Sequence, residues 1–463
     1  MRAFPVALTL VILVPAFGSE PQPEQPTYRL ATFSADVTPP RGHPLMGGGI
    51  APAKAIDDPL FAHGFVLLGA GEPIVLAAVD WCEIRNDAYD RWREVLAQAA
   101  GTSPQRVLVT SLHQHDAPIA DLEAQRLLDR AGAAGKICDL KFHEQAVQRV
   151  ARALKDGLGK ARRVTHLGVG QAKVEKVASN RRYLLADGRP AFNRMSATRD
   201  AKIREQPEGT IDPWLKTLSF WDGDRPVLAL SAYATHPMSY YGKGGVSSDF
   251  VGLARKRRQA DDAGVLQIYV SGCSGNVTAG KYNDGAVENR AVLADRIYRG
   301  MVAAWAATKR HPLERLAFRA TPLRLEPRDG PGFTVADLEK RLTTDKRPFG
   351  QCLAALGLNW RKRADAGHKL TVPVLDLGPA QLVLMPAESY VEYQLLAQQQ
   401  RPDCFVVVAG YGECAPGYIP SERAWKEGDG NLSDWCWVAP GAEQAMTRAL
   451  ETVLKPGVGG KIP

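Results

Sequence analysis

The chain has 463 residues, 45% of them hydrophobic, which is enough to bury one large core or two moderate ones. Beyond the first twenty residues no apolar run is long enough to cross a bilayer, so a polytopic membrane protein is excluded. The net charge of +8 favours anionic surfaces only modestly, and no nucleic-acid partner is expected. Basic residues are interspersed with acids, and the densest runs, Arg255-Lys256-Arg257-Arg258 and Arg361-Lys362-Arg363, read as solvated helix faces without the aromatic interleaving of a single-strand binder.

The N-terminus opens on Met1-Arg2, continues through an apolar run from Ala7 to Phe17 and ends in small residues before Ser19. That pattern reads as an export signal over residues 1–18, cut after Gly18; the alternative, a short N-terminal anchor, differs mainly in length. Residues 19–27, rich in Pro and Gln, read as a flexible leader, and residues 28–463 as one domain. The mature protein is therefore expected to be secreted or periplasmic. The seven cysteines are odd in number and scattered without a CxxC pair, which argues against a thiolate metal site. Export is compatible with one or two disulfides, with at least one thiol left over.

From Tyr28 onward, strand-like runs alternate with helix-like ones. Phe65–Leu68, Ile74–Val79 and Val107–Thr110 read as strands. The stretch Asn86–Ala100 reads as a helix, because Tyr89, Trp92, Leu96 and Ala99 or Ala100 fall at helical spacing. A second helix is expected over Phe142–Ala161, followed by an irregular Arg-rich region to about Pro213. Further apolar runs occupy 227–234, 266–270, 372–377, 382–385 and 405–409, and an amphipathic helix 442–454. The polar, glycine-rich segment Leu325–Gly367 reads as an insertion or small subdomain. This alternation indicates an α/β fold, a single mixed-sheet domain with helices packed on the sheet and functional loops at strand ends.

Four polar clusters stand directly after such runs. In Ser111-Leu112-His113-Gln114-His115-Asp116, the two histidines two apart point the same way if the segment is extended. His236 follows the run ending at Ala234 and is fixed by Pro237. Glu388 stands where an apolar strand stops and a helix is expected to start. The fourth cluster, Gly410-Tyr411-Gly412-Glu413, continues through Pro416-Gly417-Tyr418. Each cluster alone has a structural explanation: a hydrogen-bonded loop histidine, a carboxylate complementing a helix dipole, a glycine-rich turn.

In order and surroundings, these clusters resemble the neutral and alkaline, non-lysosomal ceramidase family over its catalytic region. Supporting motifs run from Ala35-Asp36-Val37-Thr38-Pro39 and Met46-Gly47-Gly48 through Asp80, Asn180-Arg181 and Ile211-Asp212-Pro213 to Ser247-Ser248-Asp249. The resemblance implies a zinc ion held by His113, His236, Glu388 and Tyr418, with His115 and Arg181 lining the site. It further implies hydrolysis of an amide bond, in which zinc-bound water attacks the carbonyl and His115 passes a proton to the leaving nitrogen. Ceramide-like lipids are the leading substrate class, with a peripheral membrane-surface contact compatible with it.

Two departures stand out. Where family members carry Gly-Asp-Val-Ser-Pro, with a serine assigned as nucleophile, this chain has Gly275-Asn276-Val277-Thr278-Ala279, so Thr278 is the candidate hydroxyl. The family's additional C-terminal β-sandwich has no counterpart before Pro463, which makes amide hydrolysis a firmer expectation than ceramide itself. Two other readings remain open: a zinc hydrolase of another polar amide or ester, and a ceramidase-like binding protein without turnover. Oligomeric state is not legible.

Overall fold

The computed structural model describes residue 1, residues 3–5 and residues 27–455. The export signal and leader expected over residues 1–27 fall almost wholly outside the described residues. Among the described residues, no helix is long and apolar enough to cross a membrane.

Consider the run Ile74–Val79, in which every side chain is buried. Ile74, Leu76 and Ala78 enter one core while Val75, Ala77 and Val79 enter another, the period-two alternation of a strand covered on both faces. Sequences of this kind build three larger mixed sheets. One has five strands in the spatial order 107–111, 74–79, 61–68, 29–36, 162–163; a second has five in the order 266–271, 225–233, 214–222, 166–173, 309–312; a third has four in the order 317–323, 370–376, 380–384, 405–409.

Leu67, Leu76 and Leu108 of the first sheet, Phe220, Leu230 and Ile268 of the second and Leu375, Leu382 and Val407 of the third share one apolar core. Helices cover the outer faces. Asn86–Ala100, Leu140–Leu158 and Pro348–Asp365 pack into the core behind the first sheet, while Asp249–Asp261 and Asn289–Ala306 pack behind the second. The fold is mixed α/β, as the alternation of elements indicates.

Each sheet is mostly antiparallel and carries one parallel pair: 74–79 with 107–111, 225–233 with 266–271, and 380–384 with 405–409. Parallel neighbours leave the sheet at the same end, so their following loops are delivered side by side. Those loops hold the four polar clusters.

Several expectations are corrected. The region to Pro213 is not wholly irregular: His166–Lys173 is a strand paired on both sides. Its glycines hide it in the sequence and are needed in the structure, since a Cβ on Gly170 would lie 2.1 Å from the Ala304 carbonyl oxygen. The segment 325–367 is no separate subdomain, because Cys352, Leu356 and Trp360 of its longer helix join the same core as Trp92. All seven cysteines are free thiols, six of them buried.

The basic run at 255–258 is only in part a solvated face: Lys256 and Arg257 are exposed, the other two are not. Arg255 and Arg258 are buried, and Arg255 grips Asp80 through two hydrogen bonds of 2.6 Å. Asp80 also accepts the Phe61 amide at 2.9 Å and is itself buried, so the pair ties the end of strand 74–79 to the helix behind the second sheet. Removing one partner strands the other as a buried charge. Asp80→Ala is expected to lower the unfolding free energy by about 3–5 kcal/mol, read by urea denaturation.

Candidate metal centre

Each site residue arrives on a strand exit. Strand 107–111 leads to His113, whose backbone is pinned by its amide donating to the Trp81 carbonyl at 3.0 Å. Strand 225–233 leads to His236, whose amide donates to the Val277 carbonyl at 2.9 Å. Strands 380–384 and 405–409 lead to Glu388 and Tyr418, which are register partners in a short parallel ladder.

The His113 segment is not extended as the HxH spacing suggests. His113 has φ 73°, in the left-handed region, and Ala387 and Tyr411 at the same site have φ 47° and 55°. Each such residue costs about 1–2 kcal/mol, and their concentration here marks a place where positioning outweighs local preference. The turn still brings the rings of His113 and His115 to 5.5 Å, edge to face.

The central feature is a meeting of three side chains. One nitrogen or oxygen from each of His113, His236 and Glu388 lies within 4.8 Å of the others, and all three residues are buried. His236 Nε2 stands 3.0 Å and His113 Nε2 3.3 Å from the same carboxylate oxygen, Glu388 Oε2.

The opposite nitrogens set the tautomers. His113 Nδ1 donates to the Cys82 carbonyl at 3.0 Å, and His236 Nδ1 to the carbonyls of Ser274 and Val277 at 2.5 and 3.1 Å. With both protons held at Nδ1, the two neutral rings present bare Nε2 lone pairs to a carboxylate. Acceptor then faces acceptor. Among the described residues His113 Nε2 and Glu388 Oε1 have no hydrogen-bond partner, although both are buried. Buried polar atoms are ordinarily paired, and a cation satisfies this set where a further hydrogen-bond acceptor cannot. Two imidazoles and one carboxylate suit zinc, so the residues present fit the metal that the resemblance implies.

The electrostatics agree. Burial opposes a charge on Glu388, yet His113 and then His236 outweigh it and hold the carboxyl well below the usual range. Burial likewise opposes a charge on His113, but Glu388 and Glu83 raise that ring above its ordinary value. His236 is lowered to about 4 by burial and the nearby Arg181. The site thus holds an ionised carboxylate between two imidazoles that their surroundings shift in opposite directions.

Tyr418 and Arg181 complete one wall. Arg181 Nη1 donates to the Tyr418 hydroxyl at 2.8 Å, and both are buried. Burial pushes the Tyr418 phenol up, with Arg181 opposing and Glu388 reinforcing. The ring centroid of the partly exposed His115 lies 4.8 Å from that of Tyr241. Its Nδ1 has no partner, and burial together with His113 and His236 holds its pKa well below the usual imidazole value.

Thr278 is placed differently. Its hydroxyl donates to the Met195 carbonyl at 3.3 Å and accepts from the Gly280 amide at 3.2 Å, so it is engaged with backbone. Asn276, the other departure in that motif, accepts the Val391 amide at 2.9 Å and donates to Glu392 at 2.8 Å, bracing the helix that follows Glu388.

Two contributors were not legible as site residues. Tyr411 stacks on His113 with ring centroids 4.1 Å apart, and its hydroxyl shares a 2.7 Å hydrogen bond with Ser274. Glu83 brings a fully buried carboxylate oxygen to 3.9 Å from His113 Nδ1. The glycines flanking Tyr411 were the available signal for the first; nothing in the sequence marks the second.

No family model and no curated protein matches the sequence. Solved structures do match in three dimensions. A structure titled ceramidase complexed with C2 superposes with a TM-score of 0.66 at 16% identity, over 93% of this chain and 75% of that one. The neutral ceramidase from Pseudomonas aeruginosa superposes with a TM-score of 0.65 at 18% identity, over 93% of this chain and 74% of that one. This chain has the ceramidase fold.

Close backbone packing fixes the carboxylate within that fold. A Cβ on Gly275 would lie 2.1 Å from the Glu388 carbonyl oxygen and 2.9 Å from the Tyr390 ring, so only glycine fits. Gly275→Ala is expected to displace Glu388 and to weaken the affinity of the three-residue group for divalent metal ions by about tenfold or more, measured by competition with a chelating dye.

Proposed function

We propose that this protein is an exported, zinc-dependent hydrolase of amide bonds in N-acylated compounds, with ceramide-like lipids the leading substrate class. The observation that carries the reading is the convergence of two imidazole Nε2 atoms and an ionised, buried carboxylate on a scaffold with the ceramidase fold. Export rests on the N-terminal apolar run and the small residues before Ser19. A peripheral contact with a membrane surface accords with a lipid substrate.

His113, His236 and Glu388 would hold the ion, with the Tyr418 hydroxyl as a fourth, weaker ligand. Zinc bound there supplies Lewis acidity, which makes water nucleophilic at neutral pH and polarises an amide carbonyl. The chain's own residues do the rest. Arg181, permanently charged and held against Tyr418, stabilises negative charge as it develops on the carbonyl oxygen. His115 has an Nδ1 without a hydrogen-bond partner among the described residues, so that atom is free to take a proton and return it to the leaving nitrogen. Fixed orientation lets these groups act without reorganising.

A second reading, a binding protein that keeps the metal without turnover, draws on one observation. The Thr278 hydroxyl, the candidate replacement for the family serine, is occupied by backbone partners. Attack by water needs no such hydroxyl, and we favour it.

The purified mature protein is expected to contain about one zinc per chain by elemental analysis, and His236→Ala almost none. Hydrolysis across a panel of N-acyl amides and esters should vanish with chelation and return with zinc. His115→Ala is expected to keep its zinc and lose about 10²–10⁴-fold in kcat. Zinc retention without turnover on any amide or ester would contradict the hydrolase reading and support the binding one.

A further inference from the structure

A second carboxylate stands on the Nδ1 edge of His113, opposite the nitrogen that faces Glu388. Glu83 is fully buried; its Oε1 has no hydrogen-bond partner among the described residues and lies 3.9 Å from His113 Nδ1. Its Oε2 accepts from Arg85 Nη1 at 2.6 Å. Arg85, also fully buried, donates further to the carbonyls of Cys414 and Ala415 at 2.9 and 2.7 Å, and its guanidinium carbon stands 4.7 Å from the centroid of the Trp437 ring. Cys414 and Ala415 belong to the loop that continues to Tyr418. The pair therefore bridges the loop bearing one histidine and the loop bearing the tyrosine.

Stability does not account for such a pair. Two ions without exposed surface give up most of their hydration, and apolar replacement of buried pairs is often neutral or favourable. Position does account for it. Residues 81–83 address His113 three times: the Trp81 carbonyl accepts its amide, the Cys82 carbonyl accepts its Nδ1–H, and Glu83 adds negative charge at the same edge. The segment is itself clamped, because Glu83–Ile84 pairs with Ile119–Ala120 and the Ile84 carbonyl accepts the Cys414 amide at 3.1 Å. Negative charge at Nδ1 strengthens donation from Nε2, and carboxylates placed behind metal-binding histidines commonly set metal affinity. Glu388 is the one anion among the three converging groups, and the Arg181 cation lies nearby, so a dication gains from a further negative charge.

We propose that Glu83 and Arg85 are positioning residues for the metal site. Glu83 raises the donor strength of His113 toward a divalent cation, and Arg85 locks Glu83 to the loop of Tyr418. This rests on the metal reading above and adds two residues that the ceramidase resemblance did not supply.

The test is zinc affinity of the full mature chain, measured by competition with a chelating dye, for wild type, Glu83→Gln and Arg85→Lys. Glu83→Gln keeps size and an acceptor for Arg85 while removing the charge; Arg85→Lys keeps the charge and loses the fork that reaches two carbonyls. Both are expected to bind zinc about 10–100-fold more weakly than wild type, with unchanged circular dichroism, and Glu83→Asp to recover part of the loss. If Glu83→Gln does not fold, Arg85→Lys carries the same test. Wild-type binding with both variants within about threefold of it would overturn the inference and leave the metal reading intact. A wild type without zinc affinity would overturn both.

Discussion

Everything at the centre of this molecule follows from one constraint: two histidine Nε2 lone pairs are made to face a buried carboxylate. Left to themselves, three acceptors would separate or turn toward donors. They do not, because their outer edges are tethered. Backbone carbonyls of Cys82, Ser274 and Val277 hold the Nδ1 protons, and Tyr411 covers the face of the His113 ring. Such an arrangement is poor for an isolated protein and good for a cation, and it is paid for by the surrounding fold rather than by local conformation.

The fold achieves this by repetition of one device. Each of the three larger sheets contributes a parallel pair, and parallel strands release their loops at a common end. The pairs deliver His113, His236, Glu388 and Tyr418 from parts of the chain more than three hundred residues apart. Ties between loops then remove slack: Glu388 in register with Tyr418, Arg181 on the Tyr418 hydroxyl, Arg85 on the Cys414 and Ala415 carbonyls, Gly275 against the Glu388 backbone. Left-handed backbone at His113, Ala387 and Tyr411 shows where strain is concentrated by these ties.

Much of the scaffold was legible because burial, on both faces of a strand or one face of a helix, writes itself into the sequence. Ile74–Val79, Phe405–Ala409, Asn86–Ala100 and Ala442–Leu454 have the bounds that their apolar patterns indicate. His166–Lys173 was hidden because glycines at 168 and 170, required by close packing, erase the strand pattern. Arg255 was misleading for a related reason, since charge in a sequence suggests solvent and says nothing of a buried aspartate 175 residues away. In the site, His113, His236, Glu388 and Tyr418 were named from resemblance, and spacing alone would have left each with a structural explanation. Glu83 illustrates the limit: a carboxylate beside an arginine two residues on looks like an ordinary surface pair until the fold buries both.

The most direct measurement is a crystal structure of the zinc-loaded protein with anomalous data at the zinc edge. The account predicts a single strong peak about 2.0–2.2 Å from His113 Nε2, His236 Nε2 and a Glu388 oxygen, with both Nδ1 atoms still on their carbonyls. A peak bound through Nδ1, a peak remote from Glu388, or no peak in protein soaked with zinc would contradict it.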